Sequence, residues 1–453
     1  MKKLSLLILS LGFIVGAKAQ SELTLPFMND IFQSSYINPT VLPEHTISIG
    51  LPGMSSVYGQ FISNGFLPKN IIDFKDDTAH IVPDKLLAEL KDKNLIYSNS
   101  SVDIFHLRIK VRNGYYWLGI RNNLNVSFQY PKDFLSLAIK GNAQFIGKTI
   151  DLKNLNVDAS LYNEYSLGMA LEFNHWVFGG RVSLLQGLSN IQFDPKSLNI
   201  QVDTSMYAET MNADAQLNTS GIPKNSNGDP SFDHVQKLSY ITNYLTNFKN
   251  KGVALSAGVT YKLNDKISFS ASFYDLGFIN WKDSVTNYNL KGQSSFSGLD
   301  LLQSYLNGTD IKPDTVIDSI LDDFNRDTTQ KAYRTYLNPK FNVSVTYDLF
   351  RRTTIGLSAS GVYNKKLYPA FTLGLSQGLG RFFNLLATIS YNQKTINNLG
   401  VGLIIKPGPY QFYIIADNVY PAINPLYTTN ANIRVGMNLV FGRVNPPVGL
   451  PYR

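Results

Sequence analysis

Glu164–Leu184 reads EYSLGMALEFNHWVFGGRVSL, and its parity decides the fold class. The odd positions Tyr165, Leu167, Met169, Leu171 and Phe173 are apolar. The even positions Glu164, Ser166, Gly168, Ala170 and Glu172 are small or charged. Asn174-His175 breaks the run, which restarts as Trp176, Phe178, Gly180, Val182 and Leu184 against Val177, Gly179, Arg181 and Ser183. Successive side chains of a strand point to opposite faces. Each run is therefore a two-faced strand close to the ~9–11 residues that cross a bilayer at a tilt. One oily face and one small or polar face is what the wall of a membrane barrel requires.

The same alternation recurs along the chain. Val253, Leu255, Ala257, Val259, Tyr261 and Leu263 alternate with Ala254, Ser256, Gly258, Thr260 and Lys262, and Phe341, Val343, Val345, Tyr347 and Leu349 alternate with Asn342, Ser344, Thr346 and Asp348. Further strands are expected near 46–51, 101–111, 115–128, 267–273, 353–363, 369–379, 383–392, 397–406, 410–419 and 431–441. A two-sheet sandwich alternates too, so the connections arbitrate. Hairpin-sized breaks fall at Arg112-Asn113-Gly114, Asn174-His175, Asn264-Asp265-Lys266, Arg351-Arg352, Gly380-Arg381-Phe382 and Pro407-Gly408-Pro409. Between them the connections are mostly longer, the longest near 129–154, 194–251 and 280–338. Strict alternation of short and long connections fits an up-and-down barrel with short periplasmic turns and longer outer loops. The expected fold is all-β, a transmembrane antiparallel barrel of about 14 strands within a range of 12–16, with both termini periplasmic.

The N-terminus fits export to such a site. Met1-Lys2-Lys3, an apolar run from Leu4 to Val15, and Ala17-Lys18-Ala19 make a signal peptide over 1–19, with an apolar core too short to span a bilayer as a helix. Removing it lowers the formal charge from +8 to +5 (8 − 3, for Lys2, Lys3 and Lys18). That charge is too mild to imply a nucleic-acid partner. Cys is absent, which excludes disulfide frameworks, thiolate metal sites and Cys nucleophiles. The expected domains are the leader 1–19, a periplasmic or plug segment 20–44, the barrel 45–441 and a periplasmic tail 442–453.

Chemistry is hard to find. His45, His80, His106, His175 and His234 lie scattered, without ligand spacing and without a Ser-acid pair, so no catalytic residue, metal or cofactor is implied and an enzyme is not expected. Asn225–Asp229 and Asp322-Asp323 lack the full register of a calcium loop. Parity points Arg108, Lys110, Arg121, Glu164, Glu172, Arg181, Lys262, Asp348, Asp417 and Arg434 to the lumen. Their mixed signs suit cross-strand ion pairs that stiffen a narrow lumen, or a pore for polar solutes. Asp275 has outward parity, which asks for a bulge or a rim position. Segments near 83–90, 235–248 and 314–324 have helical spacing, as a lid over the pore or as helices packing the loops.

Several stretches together carry a family resemblance. They are Tyr36-Ile37-Asn38-Pro39-Thr40, Asn163–Gly168, Gly179–Gly187, Asp275-Leu276-Gly277-Phe278-Ile279, Ala416-Asp417-Asn418-Val419 and Gly436–Gly442. The chain resembles a Bacteroidota family of outer-membrane barrels of unknown function, distantly similar to the long-chain fatty-acid transporter barrels and to the barrel shuttle of the type IX secretion system. The resemblance implies an N-terminal plug carrying Asn38-Pro39, although Thr40 stands where those families usually have Ala. In the last strand, Gly436, Leu439 and Phe441 resemble the signal read by the barrel assembly machinery, a partner along with outer-membrane lipid. The expected function is a transport channel for a hydrophobic or amphiphilic small molecule, with a lipid-like ligand. The alternative is a non-transporting scaffold or accessory barrel, with a secretion or surface-protein partner.

Overall fold

The structure, a computed structural model, describes residues 22–75, 78–204, 209–222, 246–296, 327–364, 366–392 and 395–442. The leader 1–19, the tail beyond Gly442, the helical stretch at 314–324 and most of that at 235–248 lie outside the described residues.

Fourteen antiparallel strands close into a barrel. Strand β1 comes in two pieces, Ile47–Gly50 and Val57–Ser63. It is followed by β2 Lys93–Val111, β3 Gly114–Pro131, β4 Asn156–Phe173, β5 Trp176–Phe193, β6 Lys251–Lys262 and β7 Ile267–Trp281. The circuit continues with β8 Lys340–Phe350, β9 Thr353–Asn364, β10 Lys366–Leu379, β11 Phe383–Asn392, β12 Thr395–Ile405, β13 Tyr410–Ala416 and β14 Asn430–Phe441. Each strand pairs with the next, and both pieces of β1 pair with β14 to shut the cylinder. The expected all-β, up-and-down barrel is the observed one, and no helix among the described residues is long and apolar enough to cross a membrane.

Local chemistry explains the hairpins. Arg112, Asn174 and Arg352 take left-handed φ values of 52°, 53° and 69° at the two-residue turns. That twist matches the twist of the flanking strands. The outer face is oily as parity required. Leu167, Met169, Phe178, Val182, Val253, Leu255, Leu357, Phe371, Leu373 and Leu399 are all exposed large apolar residues on wall strands. A closed ladder leaves no unpaired backbone edge, the condition for a strand assembly in hydrocarbon.

Two features were not foreseen. At the long-loop end the described residues add strand beside the short helices. Thr149–Asp151, Ser197–Val202, Glu209–Ser220, Val285–Phe296 and Asp327–Thr329 form a sheet that continues from the top of β5. Its apolar face, with Ile150, Leu198, Ile200 and Met211, packs with Leu137 of the short helix Lys132–Lys140. The helix expected near 83–90 is present as Pro83–Glu89. The second feature is the break in β1. Leu51–Ser56 stand opposite only Gly436 and Met437 on β14, and opposite 103–105 on β2. Pro52 has no N–H to give to a ladder and Gly53 takes a left-handed φ of 67°, so the strand expected over 46–51 ends at Gly50. It resumes at Val57, with Tyr58, Gln60 and Ile62 buried.

Candidate functional site: the barrel interior

The space inside the wall is occupied by the chain's own N-terminal segment, residues 22–44. Its two 3-10 turns, Leu25–Phe27 and Phe32–Tyr36, bury Leu23, Leu25, Met28, Ile31, Phe32, Gln33, Ser34 and Ser35 almost completely. Each fully buried Leu, Ile or Phe contributes about 1.5–3 kcal/mol. Its polar contacts go all round the wall. Glu22 holds the Arg434 guanidinium of β14 in a two-pronged pair at 2.9 and 2.7 Å. The Thr24 amide donates to Asp417 at 2.7 Å, and Asp30 pairs with Lys406 at 2.9 Å. Gln33 donates to Asp103 of β2 at 3.0 Å, and Ser272 of β7 donates to the Ile37 carbonyl at 2.9 Å. Tyr115 of β3 donates to the Pro43 carbonyl at 2.6 Å, and Arg108 donates to that of Val41.

On one side of the interior, β9–β12 offer a smooth trough. Gly356, Gly374, Thr388 and Gly400 stand in direct register across the four strands. The Phe27 ring lies in it so closely that a Cβ on Gly356 or Gly374 would fall 2.7 or 2.9 Å from ring carbons. Neighbouring lumen groups are neutral: Ser358, Ser360, Thr372, Ser390 and Asn398 are buried.

The other side carries a belt of charge across β2–β8. Arg121 pairs with Glu164 at 2.6 Å, Arg181 with Asp275 at 3.1 Å, and Lys340 with Asp275 at 2.9 Å. Arg181 also lies 3.7 Å from Glu164, which accepts from Ser183 at 2.7 Å. Tyr36 of the N-terminal segment sits on this belt, with the Arg121 guanidinium 4.2 Å from its ring centre. Such cation–π contacts strengthen when desolvated, to about 2 kcal/mol. Toward the long-loop end, one apolar cluster joins Ile62 of β1 and Leu95 and Tyr97 of β2 to Val362 of β9, across the barrel.

Of the residues that parity pointed inward, Arg108, Glu164, Arg181, Asp417 and Arg434 are buried, and Arg121 is largely so. Lys110 lies 5.6 Å from the Tyr115 ring centre, Glu172 pairs with Lys262 where both are partly exposed, and Asp348 is exposed and accepts from Thr354. Asn38 accepts from the Thr40 hydroxyl at 2.7 Å, and Pro39 passes so close to β5 that Gly179 has no room for a side chain. In β14, Gly436 leaves no space for a Cβ beside the Ser55 carbonyl, Leu439 pairs with Ile49 across the seam, and Phe441 is exposed.

Parity missed two acids. The β6–β7 register slips between Leu255 and Ala257, and Asp275 takes a φ of 60° opposite that slip. The bulge turns the carboxylate inward onto Arg181 and Lys340. The β2–β3 register slips likewise between Asp103 and Phe105, and Asp103 is fully buried beside Gln33. One extra residue inverts the facing of everything beyond it. Glu22, Asp30 and Gln33 had no signal at all, because no periodicity covers 22–44. His106 stacks on Phe32 at 3.8 Å, and no group of three metal-ligating side chains comes together among the described residues.

A closed ladder with an oily outside and a packed polar inside defines a transmembrane-type β-barrel. The chain belongs to a family of unknown function (DUF5723), which matches residues 39–417. No curated protein sequence matches it. Among solved structures it is similar to the Ralstonia pickettii toluene transporter TbuX, at 8% identity and a TM-score of 0.44, covering 91% of this chain and 95% of that one. It is similar to the Pseudomonas putida toluene transporter TodX, at 9% identity and a TM-score of 0.44, covering 91% and 94%. A Pseudomonas aeruginosa FadL homologue matches at 9% identity and a TM-score of 0.41, covering 90% and 93%.

Proposed function

We propose that this protein is an outer-membrane transport barrel for a hydrophobic or amphiphilic small molecule, closed at rest by residues 22–44 acting as a plug. In this reading the short turns face the periplasm and the leader over 1–19 directs export. The observation that carries it is the break in β1. A wall built only to stand in lipid gains nothing from interrupting its own ladder. Here Leu51–Ser56 leave the strand line, Met54 is exposed on the outer side, and Ser55 and Ser56 are fully buried. The Ser55 carbonyl accepts from Gln33 of the plug at 3.1 Å and from Tyr413 at 2.5 Å. The plug thus touches the stretch of β1 that leaves the strand line, and its movement would open a side route between lumen and hydrocarbon.

The test is uptake of a fluorescent medium-chain fatty acid by proteoliposomes. Because the chain has no Cys, Gln33→Cys and Ser55→Cys can be tethered selectively with a short bis-maleimide. Uptake by the untreated protein and its loss on tethering is the expected result. A folded wild-type barrel that takes up nothing overturns the reading. It would favour a scaffold barrel, which the cluster linking Ile62 to Val362 across the lumen also suits.

A further inference from the structure

A recess at the short-turn end plays no part in the transport reading. It measures about 220 Å³ and lies between the plug and the turns that follow β8, β10 and β12. Its charged lining is Asp30, Glu44, Arg352, Arg381 and Lys406, three cations against two carboxylates. Only one ion pair links them, Asp30 with Lys406 at 2.9 Å. Among the described residues neither Arg352 nor Arg381 pairs with a carboxylate. Asp30 is also the foot of the plug, since its carbonyl accepts from Gln411 at 3.0 Å.

Two unpaired guanidiniums in a concave polar site are suited to a tetrahedral oxyanion, because the planar fork presents paired donors to phosphate oxygens. We propose that this recess is a phosphate site, and that an occupant competes with Asp30 for Lys406 and thereby loosens the plug. The phosphate group can be free in the periplasm or carried on a lipid headgroup. Arg381 adjoins Phe382 and Phe383, 55% and 47% exposed on the rim, where a neighbouring leaflet would meet the barrel. The loosening rests on the plug reading above, whereas binding does not.

Two measurements on the full-length protein in a phosphate-free alkyl maltoside test this. Calorimetric titration with inorganic phosphate, and separately with a short-chain phosphatidylglycerol, reads binding and separates the two sources. Hydrogen exchange of the amides in 24–37 reads the plug, with β3–β5 as the reference for an intact barrel. Binding of one or both probes, weakened at least about tenfold in Arg352→Gln/Arg381→Gln, is expected, together with faster exchange of 24–37 in the wild type alone. No binding of either probe, or equal binding by the double variant with an unchanged barrel, overturns the site. Saturated protein whose 24–37 amides stay as protected as before overturns the release. Binding and release without fatty-acid uptake would remove the transport reading and leave this site standing.

Discussion

The two halves of the interior solve one packing problem in opposite ways. Across β2–β8 the wall reaches inward with long charged side chains, and the plug answers with the ring of Tyr36 and the amide of Gln33. Across β9–β12 the wall withdraws to glycine and hydroxyl, and the plug fills the space with Phe27. The charged half resists change in its charges, because every buried charge needs its partner. The neutral half resists change in its volume, because close packing leaves no room. An N-terminal segment seated on both is held mainly by charge on one side and, beside the Thr24–Thr388 and Asp30–Lys406 contacts, by shape on the other.

The largest effect should come from the charged half. Glu164→Gln leaves Arg121 and Arg181 short of a buried counter-charge, and breaking such a pair costs about 3–5 kcal/mol. Urea unfolding of the protein in detergent reads this, and an unchanged midpoint would show that the belt is not a stabilising network. Next is the neutral half. Gly374→Leu forces a side chain against the Phe27 ring, at an overpacking cost of about 1–3 kcal/mol. The expected outcome is selective proteolysis of residues 22–44 while the barrel stays protease-resistant. Equal loss of plug and barrel would erase the contrast between the halves. The smallest effect lies at the long-loop rim of the charged half, just past the end of β7. Hydrogen bonds from Asn247 and Lys249 hold the Asp283 carboxyl below its usual value. Its contribution is then present above the unfolded Asp value of about 3.9 and is lost as pH falls through the lower folded value. Amide protection of 282–284 should fall in acid in the wild type and be pH-independent in Asp283→Asn.

Much of the wall was legible from residues alone. Tyr165 to Phe173 and Trp176 to Leu184 announce their faces, and the two-residue turns announce the hairpins, because both signals depend on neighbours in the chain. The belt was half legible. Arg121, Glu164 and Arg181 follow parity, Asp275 lies at the kind of bulge its outward parity asked for, and Asp103 lies at a bulge that gave no such sign. The phosphate recess left no trace, since Asp30, Arg352, Arg381 and Lys406 belong to separate turns.

By itself the sequence determined that alternating strands joined by short and long connections would close into an oily-sided cylinder, because a strand's two faces are written at every second residue. Only the tertiary structure decided what fills that cylinder. Glu22 meets Arg434 across 412 positions of sequence and Thr24 meets Asp417 across 393. Contacts of that span have no local period. They exist only once closure has created an inside.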